Sequence, residues 1–204
     1  MGQDMAAAKG GAGIIKVPPR ERILKAADEL FERHGIRGVG VEAIASAADT
    51  NKMTLYRHFA SKDELVAAWL QRVVDDWNVY WDDLETTTDA ASPESQLDLF
   101  LQGFGDAFER FASRGCPMLN SLAELKEQDH PARRVLDDYK ASNRKRLIKF
   151  FKKIGVSEPT QAAEEFQLLV DGAKSCVQDL GTVKSRARFT HLAKTLLEAR
   201  MAGG

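Results

Sequence analysis

A cluster of polar and basic side chains between residues 52 and 58 has the chemistry needed to read a DNA duplex. Its members are Lys52, Thr54, Arg57 and His58. The guanidinium of Arg57 could form paired hydrogen bonds with a guanine, and the Thr54 methyl group could contact a thymine methyl group in the major groove. Lys52 and His58 could as easily contact backbone phosphate. Each residue alone would more often be a solvated surface group, so the prediction depends on the elements that hold them together.

The surrounding sequence predicts two short helices joined by a tight turn. Val41, Ile44 and Ala48 lie at the spacing of one apolar helix face. The run Asp-Thr-Asn at 49–51 then breaks the pattern with residues that favour turns and helix caps. Residues 52–58 supply about two further turns of helix, whose outer side carries the polar cluster. Such a helix-turn-helix places its second helix in the major groove of DNA.

The sequence Ser-Lys-Asp-Glu at 61–64 is a capping box and predicts the start of another helix. Helical spacing continues past Trp69 and Trp77 to about Leu84. This helix would contain about 24 residues and measure about 36 Å. Because that is too long for a small helix-turn-helix domain, we expect the helix to connect two bodies.

Helical spacing and helix-breaking residues along the whole chain predict an all-α fold of about nine helices. Neither a strand pattern nor an internal repeat is present. The other long helices are predicted at about residues 20–34, 93–113, 118–128, 131–153, 159–180 and 185–200. The predicted units are a flexible Gly/Ala-rich tail at 1–15, a DNA-binding helix-turn-helix domain at 16–62, and a second helical domain at 63–204.

Composition narrows the class of protein. The chain has 204 residues, of which 44% are hydrophobic and 29% charged, as in a globular protein. No apolar run approaches the ~18 residues of a membrane span, and no secretion signal is visible. The two cysteines, Cys116 and Cys176, have no metal or redox spacing and fit a reducing compartment. We therefore expect a cytoplasmic protein with no membrane partner.

The formal net charge of −1 does not by itself indicate a nucleic-acid partner. The distribution of charge says more. Residues 16–72 contain ten Lys and Arg against eight Asp and Glu, whereas residues 73–101 contain eight acids and no base. A mildly basic end followed by an acidic segment would direct one face towards DNA. An ordinary solvated helix face explains the acidic segment at least as well.

The order of residues from about Arg20 to Leu70 resembles the DNA-binding domain of TetR-family repressors. The most specific part is the run Leu-Tyr-x-x-Phe-x-x-Lys-x-x-Leu at 55–65. The resemblance implies that Tyr56 and Lys62 bind backbone phosphate, and Lys62 suits this role because a helix N-terminus attracts anions. The predicted DNA-binding residues are Lys52, Met53, Thr54, Tyr56, Arg57, His58 and Lys62.

Three residues depart from the family pattern. Asp49 occupies a turn position that is usually Gly, Met53 a position that is often Gly or Pro, and Gly40 a cap position that is usually Ser or Thr. Asp tolerates a left-handed backbone better than most residues, so the turn is expected to form. The preferred operator sequence does not follow from the resemblance.

The C-terminal part resembles the ligand-binding and dimerisation region of one TetR subgroup, through residues 114–117, Asn120, Glu124, 129–131 and 168–173. This resemblance implies a small-molecule effector. A stripe of aromatic and apolar side chains with a few polar groups could line an apolar cavity, or could be plain core. The candidate ligand-binding residues are Trp77, Trp81, Phe100, Phe104, Phe108, Phe111, Met118, Asn120, Leu122, Glu124 and Asp171.

A single helix-turn-helix reads only a few base pairs, so useful specificity needs a homodimer. Two recognition helices about 34–36 Å apart, or a multiple of that, would bind a near-palindromic operator in double-stranded DNA. The apolar faces of the last two helices could pair with their copies in a four-helix bundle, or pack only within their own subunit. The candidate interface residues are Phe166, Leu169, Val170, Ala173, Val177, Phe189, Leu192 and Leu196.

The leading hypothesis is a repressor that a small, largely apolar effector releases from its operator by population shift. The alternative is an architectural DNA-binding protein without an effector, which should carry more positive charge. No Gly-rich phosphate loop, metal cluster or catalytic triad is evident, so we expect neither an enzyme nor a cofactor. Glu124 and His130 lack metal-ligand spacing. Cys116 could be a reactive thiol at a helix start or a buried structural one.

Overall fold

The computed structural model describes residues 17–89, 91–111 and 115–202, apart from the side chains of residues 94, 111 and 202. Within these residues the chain forms nine α-helices and one 3-10 helix, with no strand. The predicted all-α fold is therefore confirmed. The proposed tail at 1–15 lies outside the described residues. The helices are α1 (Pro19–His34), α2 (Val41–Ala47), α3 (Lys52–His58), α4 (Lys62–Thr88), α5 (Pro93–Asp106), the 3-10 helix (Ala107–Phe111), α6 (Pro117–Glu124), α7 (Pro131–Lys153), α8 (Pro159–Leu180) and α9 (Thr182–Ala202).

Three helix ends differ from the predictions. α4 is about one turn longer than expected. The fifth helix, expected to reach residue 113, ends at Asp106 and continues as the 3-10 helix, where Gly103 and Gly105 lower the helix propensity of the last turn. α6 ends at Glu124 rather than near residue 128, and Leu125 has left the helical region with φ −90° and ψ 88°.

Two side-chain caps and one turn residue shape the helix-turn-helix. Asn51 Oδ1 accepts a hydrogen bond from the Thr54 N–H at 2.8 Å and caps α3, and Ser61 Oγ accepts one from the Glu64 N–H at 3.1 Å and caps α4. Asp49 has φ +49°, the left-handed conformation that Asp adopts more readily than most residues. Local sequence signals therefore account for this part of the fold.

The described residues form two hydrophobic clusters that share α4. The first cluster packs α1, α2 and α3, hereafter the head, against the beginning of α4 through residues such as Leu65 and Trp69. It continues into α6 and the beginning of α7. The second cluster packs the end of α4, at Trp81 and Leu84, against α5, α7, α8 and α9. The 27-residue α4 thus contributes to both hydrophobic clusters.

None of the described helices is long and apolar enough to cross a membrane.

Candidate DNA-binding surface and internal cavity

The outer side of α3 carries the side chains predicted to contact DNA. Leu55 is fully buried and anchors the helix on the head, whereas Met53 is 84% exposed and Tyr56 42% exposed. Lys52, Arg57 and His58 are also exposed, and Thr54 is half-buried. One short helix therefore presents polar, cationic and aromatic groups on one surface, which is the arrangement that a recognition helix needs.

Arg22 of α1 fixes the turn before this helix. Its guanidinium Nη1 donates to the backbone oxygens of Ala48, at 2.7 Å, and of Asp49, at 2.8 Å. These bonds satisfy two carbonyls at the end of α2. Arg22 is thus a positioning residue of the head that the sequence analysis did not identify.

Two of the predicted DNA contacts already bind protein atoms. Lys52 Nζ lies 2.5 Å from Glu42 Oε1, and this hydrogen bond raises the pKa of Lys52 and lowers the pKa of Glu42. Exposed ion pairs contribute little stability, so the pair presents a small barrier to phosphate binding. Lys62 Nζ donates to the Ile36 backbone oxygen at 2.6 Å. An ammonium has three N–H groups, which leaves Lys62 further donors for a phosphate.

Glu124, predicted to be a polar group of the effector site, instead binds the head. Its carboxylate accepts hydrogen bonds from the Ile36 N–H at 3.2 Å and the Arg37 N–H at 2.9 Å. Gly35, with φ +73°, allows this close approach because a Cβ there would lie 2.9 Å from Glu124 Oε1. The C-terminal end of α6 is therefore attached to the loop between α1 and α2.

His130 is also structural in this arrangement. Its Nδ1 accepts a hydrogen bond from the Ala132 N–H at 3.1 Å and its Nε2 lies 3.3 Å from Asp63 Oδ1, so it caps α7 and contacts the start of α4. Glu124 and His130 thus face different partners. Across the described residues, no group of three or more His, Cys, Asp or Glu side chains could hold a metal ion.

Most of the aromatic stripe is packed core, which is one of the two interpretations that the sequence left open. Trp81, Phe100, Phe104 and Phe108 are each no more than 3% exposed. Ring centroids lie 4.2 Å apart for Phe100 and Phe150 and 5.3 Å apart for Trp81 and Phe104. The space was filled by rings from α7, α8 and α9, whose contribution a local stripe does not reveal. The Phe111 side chain lies outside the described part of the chain.

The larger of two adjoining cavities, hereafter the larger cavity, lies between α6, α7 and α8 and has a volume of about 330 Å³. Of the predicted ligand-binding residues it is lined by Met118, Leu122 and Asp171. A neighbouring cavity of about 190 Å³ includes Trp77 and shares several residues with the first. The shared residues are Cys116, Met118, Tyr139 and Lys174. Asn120 lines smaller cavities elsewhere on α6.

A chain of hydrogen bonds crosses the wall of the larger cavity from α4 to α8. Trp77 Nε1 donates to Asn143 Oδ1 at 3.4 Å, Asn143 Nδ2 donates to Gln167 Oε1 at 2.8 Å, and Gln167 Nε2 donates to Asp171 Oδ1 at 2.8 Å. Beside this chain, burial raises the pKa of Tyr139, and the negative charge of Asp171 raises it further. The phenol is therefore neutral and able to donate.

Lys174, together with Asn143, is a cavity residue that the sequence analysis missed. Lys174 is only 7% exposed, and its Nζ lies 5.5 Å from the centroid of the Trp77 ring. It is in helical register with the buried residues Phe166, Val170 and Val177. A polar residue in register with an apolar face was a signal that could have identified it.

The two cysteines are free thiols, with Cys116 buried and Cys176 exposed. Burial agrees with the structural interpretation of Cys116, while its place on the wall of both cavities leaves a sensing role as an untested prediction.

Four of the predicted dimer-interface residues are buried in their own subunit, which corrects their assignment. Phe166, Val170, Val177 and Phe189 are at most 2% exposed and belong to the aromatic core. Leu169 and Ala173 are partly buried against the same core, and Leu196 is half-buried. Leu192, 50% exposed, remains available to a partner. The periodic apolar face of each helix serves the subunit core first, so periodicity identified the wrong face.

The family model described as "Bacterial regulatory proteins, tetR family" matches residues 23–69. The transcriptional repressor SCO4008 of Streptomyces coelicolor is 32% identical over 126 residues, which are 57% of this chain and 60% of the relative. The transcriptional activator FasR of Mycolicibacterium smegmatis is 46% identical over 56 residues, which are 28% of this chain and 26% of the relative. The chain therefore covers less than two thirds of the length of these curated relatives.

Solved structures are similar over nearly the whole chain. A regulator of Streptomyces avermitilis, sav143, is 31% identical and has a TM-score of 0.72. The match covers 90% of this chain and 98% of the sav143 chain. SCO4454 of Streptomyces coelicolor, a TetR-family regulator, has a TM-score of 0.82 at 23% identity and covers 90% of this chain and 96% of its own. AibR, crystallised with isovaleryl coenzyme A and operator DNA, has a TM-score of 0.66 at 20% identity.

The capped helix-turn-helix on a larger helical body, together with these matches, defines a DNA-binding regulator of transcription. Of the two curated relatives named above, one is a transcriptional repressor and the other a transcriptional activator. The chain belongs to the TetR family.

Proposed function

We propose that this protein is a homodimeric repressor that a small molecule, bound in the cavity between α6, α7 and α8, releases from a near-palindromic operator. One observation carries the proposal. α6 lines the cavity with Met118, Leu119 and Leu122 and ends at Glu124, whose carboxylate binds the head. A single eight-residue helix therefore contacts both sites.

Operator binding is assigned to the exposed side of α3 and the start of α4. Tyr56 and Lys62 would bind phosphates and fix the register, and Arg57 and Thr54 would contact base edges. Met53, at 84% exposure, adds an apolar group to the same surface and so supports contact with thymine methyl groups. Lys52 and His58 complete the contact surface as phosphate or base contacts.

Release requires the effector to favour a different arrangement of the head. Filling the cavity would move α6, and the two hydrogen bonds of Glu124 would carry that movement to Ile36 and Arg37. The Ile36 backbone oxygen also binds Lys62 Nζ at 2.6 Å, so the same loop reaches a predicted phosphate contact. α4 offers a second route, because it runs from Lys62 to the cavity wall at Trp77.

The dimer is assigned to exposed apolar side chains of α8 and α9 that have no role in the subunit core. Leu168 is 74% exposed and Val183 82% exposed, and Leu180 and Leu192 are about half-exposed. Exposed leucines and valines on two adjacent helices are candidates for a surface that a partner covers. Pairing there would set the separation of the two recognition helices.

An electrophoretic mobility shift on the DNA beside the protein's own gene tests the proposal. Wild type should bind that DNA in preference to a scrambled duplex, and the double variant Tyr56→Ala/Lys62→Ala should lose binding. Lys145→Ala, on the exposed side of α7, removes one surface charge and should bind like wild type. Binding that is indifferent to sequence would instead support the architectural alternative, and binding unaffected by the double variant would remove α3 and α4 from the DNA contact.

A further inference from the structure

Lys174 gives the larger cavity an unusual chemical character. Its ammonium group belongs to a side chain that is 7% exposed, on a wall shared by both cavities. Electrostatic attraction is stronger in such surroundings than at a solvated surface. The Trp77 ring, with its centroid 5.5 Å from Nζ, helps to hold the cation in place. A ligand with negative charge would therefore gain more from Lys174 than from an exposed lysine.

The neighbouring amide side chains add hydrogen-bond donors. The Asn143 oxygen accepts from Trp77, and the Gln167 oxygen accepts from Asn143. Each oxygen therefore already uses one lone pair in a described bond. Each amide nitrogen carries two hydrogens and uses one of them within the chain of hydrogen bonds, towards Gln167 and Asp171. One N–H of Asn143 and one of Gln167 remain to bind an acceptor on a ligand.

Charge around the larger cavity also favours an anion. Tyr139 adds a neutral hydroxyl donor. The two carboxylates of the lining, Asp171 and Glu164, bind Gln167 and Arg144 respectively. Cationic side chains outnumber carboxylates on the lining by three to two. The cations are Lys140, Arg144 and Lys174.

Part of the lining of the larger cavity is apolar, and the volume of the cavity limits the size of the ligand. That apolar part of the lining consists of Met118, Leu119 and Leu122 from α6 and Leu136 from α7. Its volume of about 330 Å³ lies near the lower end of the range for small-molecule sites. The space suits a compact apolar skeleton, such as two fused or linked rings, with one polar end.

We propose that the effector is an anionic amphipathic molecule, an apolar skeleton bearing a carboxylate or a related acidic group, and that Lys174 binds its charged end. The inference rests on the proposed effector function of this cavity. Asn143, Gln167 and Tyr139 complete the anion site as neutral donors. The apolar skeleton packs against α6, so the same molecule contacts the helix that binds the head.

Two dyes that share an aromatic skeleton test the charge requirement in the full-length protein. 1-Anilinonaphthalene-8-sulfonate is anionic, and N-phenyl-1-naphthylamine lacks the sulfonate. Fluorescence titration should show tighter binding of the anionic dye by wild type. Lys174→Met should weaken the anionic dye by roughly tenfold or more and the neutral dye by less than about twofold. Lys145→Met, with the same loss of charge on the exposed side of α7, should leave both affinities unchanged.

Two results would overturn the inference. An equal loss of affinity for both dyes in Lys174→Met would assign Lys174 a packing role. Unchanged affinity for the anionic dye in that variant, or no binding of the anionic dye by wild type, would show that Lys174 does not recognise the ligand. If Lys174→Met fails to fold, Tyr139→Phe replaces it, since that variant loses only a hydroxyl and should still weaken the anionic dye selectively. Competition by 1-naphthoate but not by 1-naphthamide would show that the site accepts carboxylates as well as sulfonates.

The same dyes separate this inference from the proposed function. Lys174-dependent binding of the anionic dye without any change in operator affinity would refute release by this ligand class while leaving the anion site intact. Operator release by a neutral molecule that binds equally well to Lys174→Met would support the proposed function and contradict the anion site.

Discussion

At the scale of single residues, local hydrogen bonds account for the shape of the head. Asn51 caps α3, Ser61 caps α4, and Arg22 binds the carbonyls of the turn between α2 and α3. These groups hold α3 so that its polar side remains exposed. The functional surface therefore depends on residues that need not contact DNA themselves.

Removal of the α3 cap should destabilise the head. Asn51→Ala deletes the side-chain oxygen that accepts from the Thr54 N–H and is expected to cost about 1 kcal/mol of unfolding free energy. Chemical denaturation measures that loss, and operator affinity should fall with it. Asn51→Ser keeps a capping oxygen and should remain close to wild type. An equally large loss in both variants would mean that the cap is not the cause.

Glu124 should control communication between the cavity and the head. Glu124→Gln replaces one acceptor oxygen by an NH₂ group, so only one of the Ile36 and Arg37 amides can keep its acceptor, and hydrogen exchange in this pair of amides should be faster. Operator affinity measured with and without the effector should then differ by less than about threefold, where typical coupling is about 5- to 150-fold.

Glu127→Gln is the matched control for Glu124. Glu127 lies three residues further along the chain, after the end of α6, and pairs with Arg37 at 3.5 Å, but its side chain is 59% exposed. Such an exposed pair contributes little, so both amide exchange and coupling should match wild type. Unchanged coupling in Glu124→Gln, despite faster exchange at residues 36 and 37, would show that α4 carries the signal instead.

At the scale of elements, α4 and α5 pack closely enough to make one glycine indispensable. A Cβ on Gly103 would lie 2.6 Å from Leu84 Cδ1, and the Tyr80 hydroxyl donates to the Gly103 backbone oxygen. The contact joins the C-terminal half of α4 to the aromatic core. Rigid attachment of α4 at this end is a condition for it to transmit movement to the head.

Two glycine variants compare close packing with helix propensity. Gly103→Ala should lower the unfolding free energy by about 1–3 kcal/mol, because the added methyl group displaces the buried Leu84 side chain. Gly172→Ala, in α8 with no atom within 4 Å of its Cβ position, should raise that free energy by up to about 1 kcal/mol. Thermal or chemical denaturation gives both values. A loss of stability in Gly172→Ala would show that a partner subunit approaches this position.

At the scale of the whole molecule, α6 and α4 each run from a cavity wall to the neighbourhood of the head. Both meet the loop after α1, where Ile36 binds Glu124 of α6 through its N–H and Lys62 of α4 through its oxygen. The proposed operator recognition further requires two heads at a fixed separation. Regulation of the proposed repressor would therefore be a property of the dimer.

Charge on the exposed faces of α8 and α9 should disrupt the proposed dimer. Leu180→Arg combined with Leu192→Arg places two cations on the proposed interface and should convert the protein to monomers, measured by light scattering after size exclusion. Operator affinity should fall by roughly tenfold or more, since one head reads only half of the site. Val79→Arg, at an exposed position of α4, should remain dimeric. Unaltered dimerisation in the double variant would place the interface elsewhere.

The sequence by itself determined the head and the helical fold. Asn51, Ser61 and the left-handed Asp49 act through neighbours a few residues away, so their effect is readable locally, and α3 has the predicted bounds Lys52–His58. Helix ends such as that of α5 were less accurate because glycine propensity and a close approach to Leu84 both act there.

Tertiary structure alone decided which apolar and polar residues line space and which fill it. By spacing, Phe100 and Phe166 could be cavity wall, dimer surface or core, and only the convergence of rings from five helices buried them. Lys174 and Glu124 are polar residues whose partners lie on distant segments, the latter 88 residues from Ile36. Local periodicity carries no information about such long-range contacts. These contacts determine where the cavity lies and which helix links it to the head.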